Sequence, residues 1–167
     1  MKALALLTAS AIALAACSGG EEEAPIRQPI SEITVDTDLT AIGNAQAVNY
    51  WGRLSTDLQT ALATQFVGDI SPSGAVLNVD VDELSLANAY SSQFGQNSTL
   101  SGQVTLTDRR GQRLSAYTVT ATSSQALAGA SGAGATITPG SSDFYAALIR
   151  AFAAGVDQTV NGAAPGS

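Results

Sequence analysis

Two amphipathic stretches constrain the fold of this chain more than any other feature. Apolar side chains recur every three or four residues within residues 44–67, and the same spacing returns within residues 142–160. Such spacing gathers the apolar side chains on one stripe of an α-helix, and each helix must then bury its stripe against another element. The stripe residues are Val48, Trp51, Leu54, Leu58, Leu62 and Phe66 in the first stretch, and Phe144, Leu148, Phe152 and Val156 in the second.

Four other segments alternate apolar and polar residues, which is typical of β-strands with one buried face. They are residues 31–39, residues 75–86 and the two halves of a predicted hairpin over residues 99–122, with its turn at Asp108 to Gly111. The second segment changes parity near Asp82-Glu83, which predicts a bulge or a break. The polar side of the sheet is expected to carry Asn78, Asp80, Asp82, Gln103, Thr105 and Thr107.

The predicted element order is therefore β-α-β-β-β-α. The simplest packing is an α+β fold, with two helices packed on one face of a three- to four-stranded, mainly antiparallel sheet. We expect one domain over residues 31–160 and a disordered tail over residues 161–167. Residues 123–140 are mostly Ala, Gly, Ser and Thr and have little to bury, which predicts a mobile loop.

The first 17 residues, MKALALLTASAIALAAC, have the layout of a secretory signal peptide. Lys2 supplies the positive start, and the apolar run that follows is shorter than the ~20 residues that span a bilayer. The run ends in Leu14-Ala15-Ala16-Cys17, which resembles the lipobox of bacterial lipoproteins. That resemblance implies removal of residues 1–16 as a signal peptide and attachment of lipid to the sulfur and the amine of Cys17.

Cys17 is also the only cysteine in the chain. The alternative is an ordinary signal peptide with an incidental cysteine, but a free exposed thiol is a liability in an exported protein. Ser18 follows the cysteine, and in the enterobacterial sorting rule this resembles an outer-membrane lipoprotein. We therefore expect a lipid anchor on the periplasmic face of the outer membrane, rather than on the inner membrane, and a flexible tether over residues 17–30.

The residue types present exclude several kinds of chemistry. The chain has no histidine, and its only lysine, Lys2, lies in the predicted signal peptide, so catalytic triads, His-based zinc sites and Schiff bases are excluded. Seven basic residues stand against 14 acidic ones, which disfavours nucleic acid as a partner. We expect no catalytic residues, no metal, no cofactor and no enzymatic activity.

Two charged clusters remain as candidate sites. Arg109, Arg110 and Arg113 fall at the predicted hairpin tip, where they would contact an acidic partner or lipopolysaccharide phosphates, or merely discourage strand pairing. Asp80 and Asp82 share a strand face beside Glu83; they would suit a cation only if further ligands converged, and a solvated face is the simpler interpretation. A hydrolase using carboxylates alone would need an evident pair across a cleft.

The order of elements also resembles that of small periplasmic lipoproteins with helices packed on a sheet. The segment AVNYWGRLSTDLQTALATQF, then a strand and a hairpin, and the closing segment DFYAALIRAFAAGVDQTV are similar to their core. Two such families are the lipopolysaccharide-assembly lipoprotein that plugs an outer-membrane barrel and the auxiliary lipoproteins of lipid-transporting ABC systems. The resemblance covers about residues 31–160. It assigns no site residues. The predicted anchor, the small domain and the missing catalytic residues favour a non-catalytic accessory subunit in envelope assembly or transport, with an envelope protein complex as its candidate partner. A small ligand- or cation-binding module is the alternative.

Overall fold

The computed structural model describes residues 27–93, 96–130 and 137–162. This part of the chain is an α+β fold with four strands and four helices, in which the long helices pack on one face of the sheet, as predicted. The elements in order are β1 (Ile30–Thr37), α1 (Ala45–Gln65), β2 (Ala75–Ser85), α2 (Ala89–Gln93), β3 (Thr99–Thr107), β4 (Arg113–Thr122), α3 (Ser123–Ala130) and α4 (Ser142–Asn161), with 3-10 turns at Leu39–Ala41 and Val67–Asp69.

The strands follow the spatial order β1-β2-β3-β4. β1 pairs with β2 in parallel, and both remaining pairings are antiparallel, so the sheet is mainly antiparallel as expected. A parallel pair needs a long crossover, which α1 supplies between β1 and β2. The predicted irregularity in β2 is confirmed, because the register with β3 shifts between Val81 and Glu83.

Capping side chains fix where the long helices begin. The side chain of Asn44 accepts a hydrogen bond from the Ala47 amide, and its own amide group donates to the Leu86 carbonyl at 3.0 Å. The start of α1 is thereby joined to the end of β2. Ser141 caps α4 by accepting from the Phe144 amide at 3.1 Å.

The core lies between the helices and one face of the sheet. Leu54, Leu58, Leu62 and Phe66 of the first predicted stripe are fully buried, as are Leu148, Phe152 and Val156 of the second. Val48 is a wrong assignment, since it is 55% exposed while its neighbour Ala47 is fully buried. Ala47 lies seven residues before Leu54, two helical turns, so it and not Val48 continues the buried stripe into the first turn of α1.

The low-complexity segment 123–140 is not simply a loop, and that prediction is wrong for its first half. Residues Ser123–Ala130 form α3, whose Ala126 is buried against the core. Small side chains allow this close approach even though they supply little apolar area of their own. The short helix α2 was not predicted either, and residues 131–136 lie outside the described residues.

The folded part begins earlier than the predicted boundary at residue 31. Ile30 is fully buried at the start of β1, and Arg27 already contacts two other segments. The predicted signal peptide, Cys17, the rest of the tether and residues 163–167 lie outside the described residues. Within the described ranges, no helix has both the length and the apolar character to cross a membrane.

Candidate functional site

The two ends of the sheet carry different charges. β1 and β2 are parallel and begin at one end, where β3 also finishes and β4 starts. We call it the arginine end, because Arg109, Arg110 and Arg113 lie there at or beside the hairpin tip. The opposite end, here called the acidic end, carries Asp36 and Asp38 at the end of β1, and Asp82 and Glu83 toward the end of β2.

The hairpin tip is held by its own backbone and by Asp108. The Asp108 amide donates to the Gln112 carbonyl at 2.8 Å, and the Asp108 carboxylate accepts from the amides of Arg110 and Gln112. Gly111 has a φ of 79°, a left-handed conformation that glycine adopts without strain. This carboxylate is thus bound by backbone amides of the turn, and the side chains of Arg109 and Arg110 are exposed at the tip.

The three arginines of the tip are all exposed. Within residues 27–93, 96–130 and 137–162, none of them forms an ion pair. A shallow groove of about 290 Å³ runs from Arg109 and Arg110 to Pro29 and Gly74, beside the start of β1. The structure therefore brings the predicted arginine cluster next to the point where the chain enters the domain.

Exposed aliphatic side chains accompany the arginines at this end. Leu114 is 55% exposed on β4, Val67 is 74% exposed just after α1, and Ile70 is 52% exposed. Ile70 is placed by a β-bridge to Ile30, and the next amide, that of Ser71, donates to the Ile30 carbonyl. The arginine end thus combines unpaired cations with exposed apolar surface.

Arg27 fastens the beginning of the domain at the same end. Its Nε and Nη2 donate to the two carboxylate oxygens of Asp69 at 2.7 and 2.8 Å, and Nη2 also reaches Asp157 at 2.7 Å. Asp69 is only 8% exposed, so a planar guanidinium that satisfies both of its oxygens suits it well. We call Arg27, Asp69 and Asp157 the clamp, since they join the incoming chain to the ends of α1 and α4.

The clamp shifts the pKa values of Arg27 and Asp157. Burial alone would raise the pKa of Asp157, but hydrogen bonds from Asn161 and Gln65 and the charge of Arg27 outweigh it and hold that pKa below its ordinary value. The hydrogen bond to Asp69 raises the pKa of Arg27 still further above its ordinary range. Arg27 and Asp157 are therefore both charged at neutral pH.

Because the folded-state pKa of Asp157 is lowered, its contribution to stability is present above the unfolded pKa of about 3.9 and is lost as the pH falls through the folded value. We expect the melting temperature of Asp157→Asn to fall less steeply than that of the wild type as the pH is lowered from about 5 to 3. Arg27→Gln should likewise make the melting temperature fall less steeply as the pH is lowered, because it removes the positive charge that lowers the pKa of Asp157. Thermal unfolding followed across this pH range measures it, and parallel profiles for all three proteins would contradict the assignment.

The acidic end shows no assembled cation site. Asp36 and Asp80 are register partners, but Asp80 lies opposite Gln103 while Glu83 lies opposite Ser101, on the far side of the bulge. Across the described ranges, no group of three or more Asp, Glu, His or Cys residues could hold a metal ion. The structure therefore offers no support for a cation at Asp80, Asp82 and Glu83.

The sheet face that carries no helix is polar, as predicted. Thr34 donates to the Asn78 side chain at 2.7 Å, and the Asn78 amide group donates to Thr107 at 3.3 Å, so a ladder of polar side chains crosses three strands. Gln103 lies near the middle of this face and is exposed. The uncovered face is thus a broad hydrogen-bonding surface.

A ring cluster between α1 and α4 was not anticipated from the sequence. Tyr50 and Tyr145 stack with their centroids 4.2 Å apart, and the Arg53 guanidinium lies 5.0 and 5.1 Å from the two ring centroids. Burial raises the pKa of the Tyr145 hydroxyl, which would be a poor acid. The i, i+3 spacing of Tyr50 and Arg53 was the available signal, and the partner ring, distant in sequence, was not predictable from it.

Comparison with known proteins gives neither a matching family model nor a matching curated protein. Solved structures of similar arrangement include a PelC dodecamer from Paraburkholderia phytofirmans, at 13% identity over 78% of this chain and 87% of that chain, with a TM-score of 0.40. A DUF330 protein from Xanthomonas campestris matches at 15% identity over 83% and 82%, with a TM-score of 0.44. A minor lipoprotein from Acinetobacter baumannii matches at 14% identity over 79% and 91%, with a TM-score of 0.38. Likeness at this level carries no information on activity.

Proposed function

We propose that this chain is a bacterial lipoprotein, anchored through lipid on Cys17, whose domain serves as a non-catalytic accessory subunit in envelope assembly or transport. The observation that carries the proposal is the position of the only cysteine, directly after an apolar run that ends in Leu14-Ala15-Ala16. Ser18 favours the outer membrane, with the domain in the periplasm. The domain then starts at Arg27, after a short tether.

The structure of the domain supports an accessory role rather than a catalytic one. The chain has no histidine, and its only lysine lies in the predicted signal peptide, so a catalytic triad or a Schiff base is excluded. One face of the sheet is left free of helices and is lined by hydrogen-bonding side chains such as Asn78 and Gln103. A polar, solvated face of this kind suits a partner that binds by many weak polar contacts.

The anchor is tested by expressing the full chain in a bacterium and comparing the wild type with Cys17→Ala. The wild type is expected to incorporate labelled palmitate, to run at the size of the mature protein and to fractionate with the outer membrane. The variant should lose the label completely and accumulate as the precursor, since no other cysteine is present. Ser18→Ala, which keeps the cysteine, is the matched control and should be labelled like the wild type. Unchanged labelling or membrane retention in Cys17→Ala would refute the lipid anchor.

The accessory role is tested by placing a photo-crosslinking residue at Gln103, on the uncovered sheet face, in the lipidated chain. We expect it to capture a defined component of an envelope assembly or transport complex. The same probe at Thr56, exposed on the outer side of α1, serves as the control. Absence of any envelope partner, together with normal envelope permeability in a deletion strain, would count against the accessory role.

A further inference from the structure

We propose that the arginine end docks directly on the phospholipid surface in which the anchor sits, with its arginines on the headgroup phosphates and its exposed aliphatic side chains in the interface. This inference rests on the proposed anchor at Cys17 and adds to it an orientation of the domain. The docking surface consists of Val67, Ile70, Arg109, Arg110, Arg113 and Leu114.

The first argument is the length of chain between the anchor and the domain. Nine residues lie between Cys17 and Arg27, which makes ten steps along the chain. An extended chain spans at most ~3.6 Å per step, so the tether reaches no more than ~36 Å. The clamp fixes Arg27 at the arginine end of the sheet. The acidic end lies another strand length away, ~30 Å for strands of this size. When the tether and the domain extend from the membrane in line, the arginine end is therefore the end nearer to the bilayer.

The second argument is the separation of charge along the sheet. By formal charge, the described part of this end carries four arginines, Arg27 and the three of the tip, and four acids, Asp69, Asp157, Asp108 and Glu32. Arg27 pairs with Asp69 and Asp157, and backbone amides bind Asp108, whereas the arginines of the tip form no ion pair within the described ranges. At the other end, Asp36, Asp38, Asp82, Glu83 and Asp143 form no ion pair within those ranges.

An anionic membrane therefore repels the acidic end more strongly than the arginine end, and the chain as a whole has a net charge of -7. Guanidinium groups bind phosphate oxygens in a bidentate way, so the tip matches phospholipid headgroups in chemistry as well as in charge.

The third argument is the apolar component. Three of the six large hydrophobic side chains that are exposed in the described part lie at the arginine end, namely Val67, Ile70 and Leu114. Aliphatic side chains next to arginines are typical of surfaces that rest at the boundary between headgroups and acyl chains.

The test uses the full lipidated chain inserted in vesicles of phosphatidylcholine, with and without phosphatidylglycerol. Acylation occupies Cys17, so a cysteine introduced by Gln112→Cys at the tip takes a single environment-sensitive fluorophore. Asp82→Cys, at the acidic end, is the matched control. The readout is quenching of each fluorophore by lipids that carry a nitroxide on the headgroup.

In anionic vesicles, quenching at the tip is expected to exceed quenching at the acidic end by roughly threefold or more. Quenching requires close contact with the headgroups, and the two labelled positions lie at opposite ends of the sheet. Arg109→Gln, Arg110→Gln and Arg113→Gln combined should remove about half of it or more, and high salt should have the same effect. Pure phosphatidylcholine should give weaker tip quenching, with Leu114→Ser weakening it further. Equal quenching at both ends would overturn the docking proposal, and so would tip quenching that stays unchanged when the three arginines are replaced by glutamine.

Flotation of the same vesicles distinguishes the two proposals. A lipidated chain floats with vesicles of either composition, whichever variant is present, so flotation with equal quenching at both ends refutes docking alone. Failure of the wild type to float refutes the anchor and, with it, the orientation that depends on it. Quenching that the wild type shows only when an envelope protein is added would mean that the arginine tip recognises that protein instead of lipid.

Discussion

Phe152→Ala is expected to destabilise the domain by about 3–5 kcal/mol, a large part of the stability of a domain of this size. Phe152 is fully buried in the middle of α4, where this helix packs on the sheet. Removing the ring takes away its transfer free energy and leaves a cavity, because the neighbouring strands are held by their ladders and cannot collapse into it. Chemical denaturation, with the midpoint and the slope measured separately, gives the change in the free energy of unfolding.

Val48→Ala is the control for this prediction. Val48 also lies on a long helix and on the apolar stripe predicted from the sequence, but it is 55% exposed. Alanine has the higher helix propensity, so this substitution should change the free energy of unfolding by no more than ~0.5 kcal/mol. A loss at position 48 as large as the loss at position 152 would show that Val48 contributes to the core as much as Phe152 does, contrary to its exposure.

Gly102→Ala is expected to cost about 1–3 kcal/mol or more, far beyond the usual effect of adding one methyl group. A Cβ at this position would lie 2.6 Å from the carbonyl oxygen of Asp80, an atom of the backbone that has no freedom to rotate away. Gly102 is the register partner of Val81, where the bulge in β2 begins. To admit the methyl group, β2 and β3 must separate at their bulge.

The matched change is Gly52→Ala, for which no atom lies within 4 Å of the new Cβ. Gly52 lies within α1, so the substitution should stabilise the domain by about 0.5–1 kcal/mol through helix propensity. The two variants add the same group and should shift the melting temperature in opposite directions. If Gly102→Ala proved neutral, the close approach of the two strands at the bulge would be wrong.

Those parts of the fold that depend on local periodicity were predictable from the sequence. The stripe that includes Leu58 and the one that includes Phe152 specify which side of each helix is buried, and the parity change near Asp82 specifies the bulge. The glycine at position 111 marks the hairpin turn. In each case the signal lies within a few residues of the feature it predicts.

What could not be predicted depends on contacts between distant parts of the chain. Arg27 lies 42 residues from Asp69 and 130 from Asp157, and nothing in its own neighbourhood distinguishes it from a solvated arginine in a tether. Helix α3 was missed because its small residues look like loop residues until α4 is present to pack against them. The arginine cluster was visible as a sequence motif, but its proximity to the incoming chain follows only from the parallel pairing of β1 with β2.

The clamp also determines how the domain would respond to a mechanical pull. A protein tied to a bilayer by a short tether experiences tension whenever a bound partner or the membrane moves, and that force enters at the first fixed residue. Here the force reaches Arg27 before it reaches Ile30, and it is shared between the ends of α1 and α4 through Asp69 and Asp157. Strand β1 is an edge strand that would otherwise be drawn away from β2 starting at Ile30. The two ion pairs therefore pass part of the force to α1 and α4 before it reaches the pairing of β1 with β2.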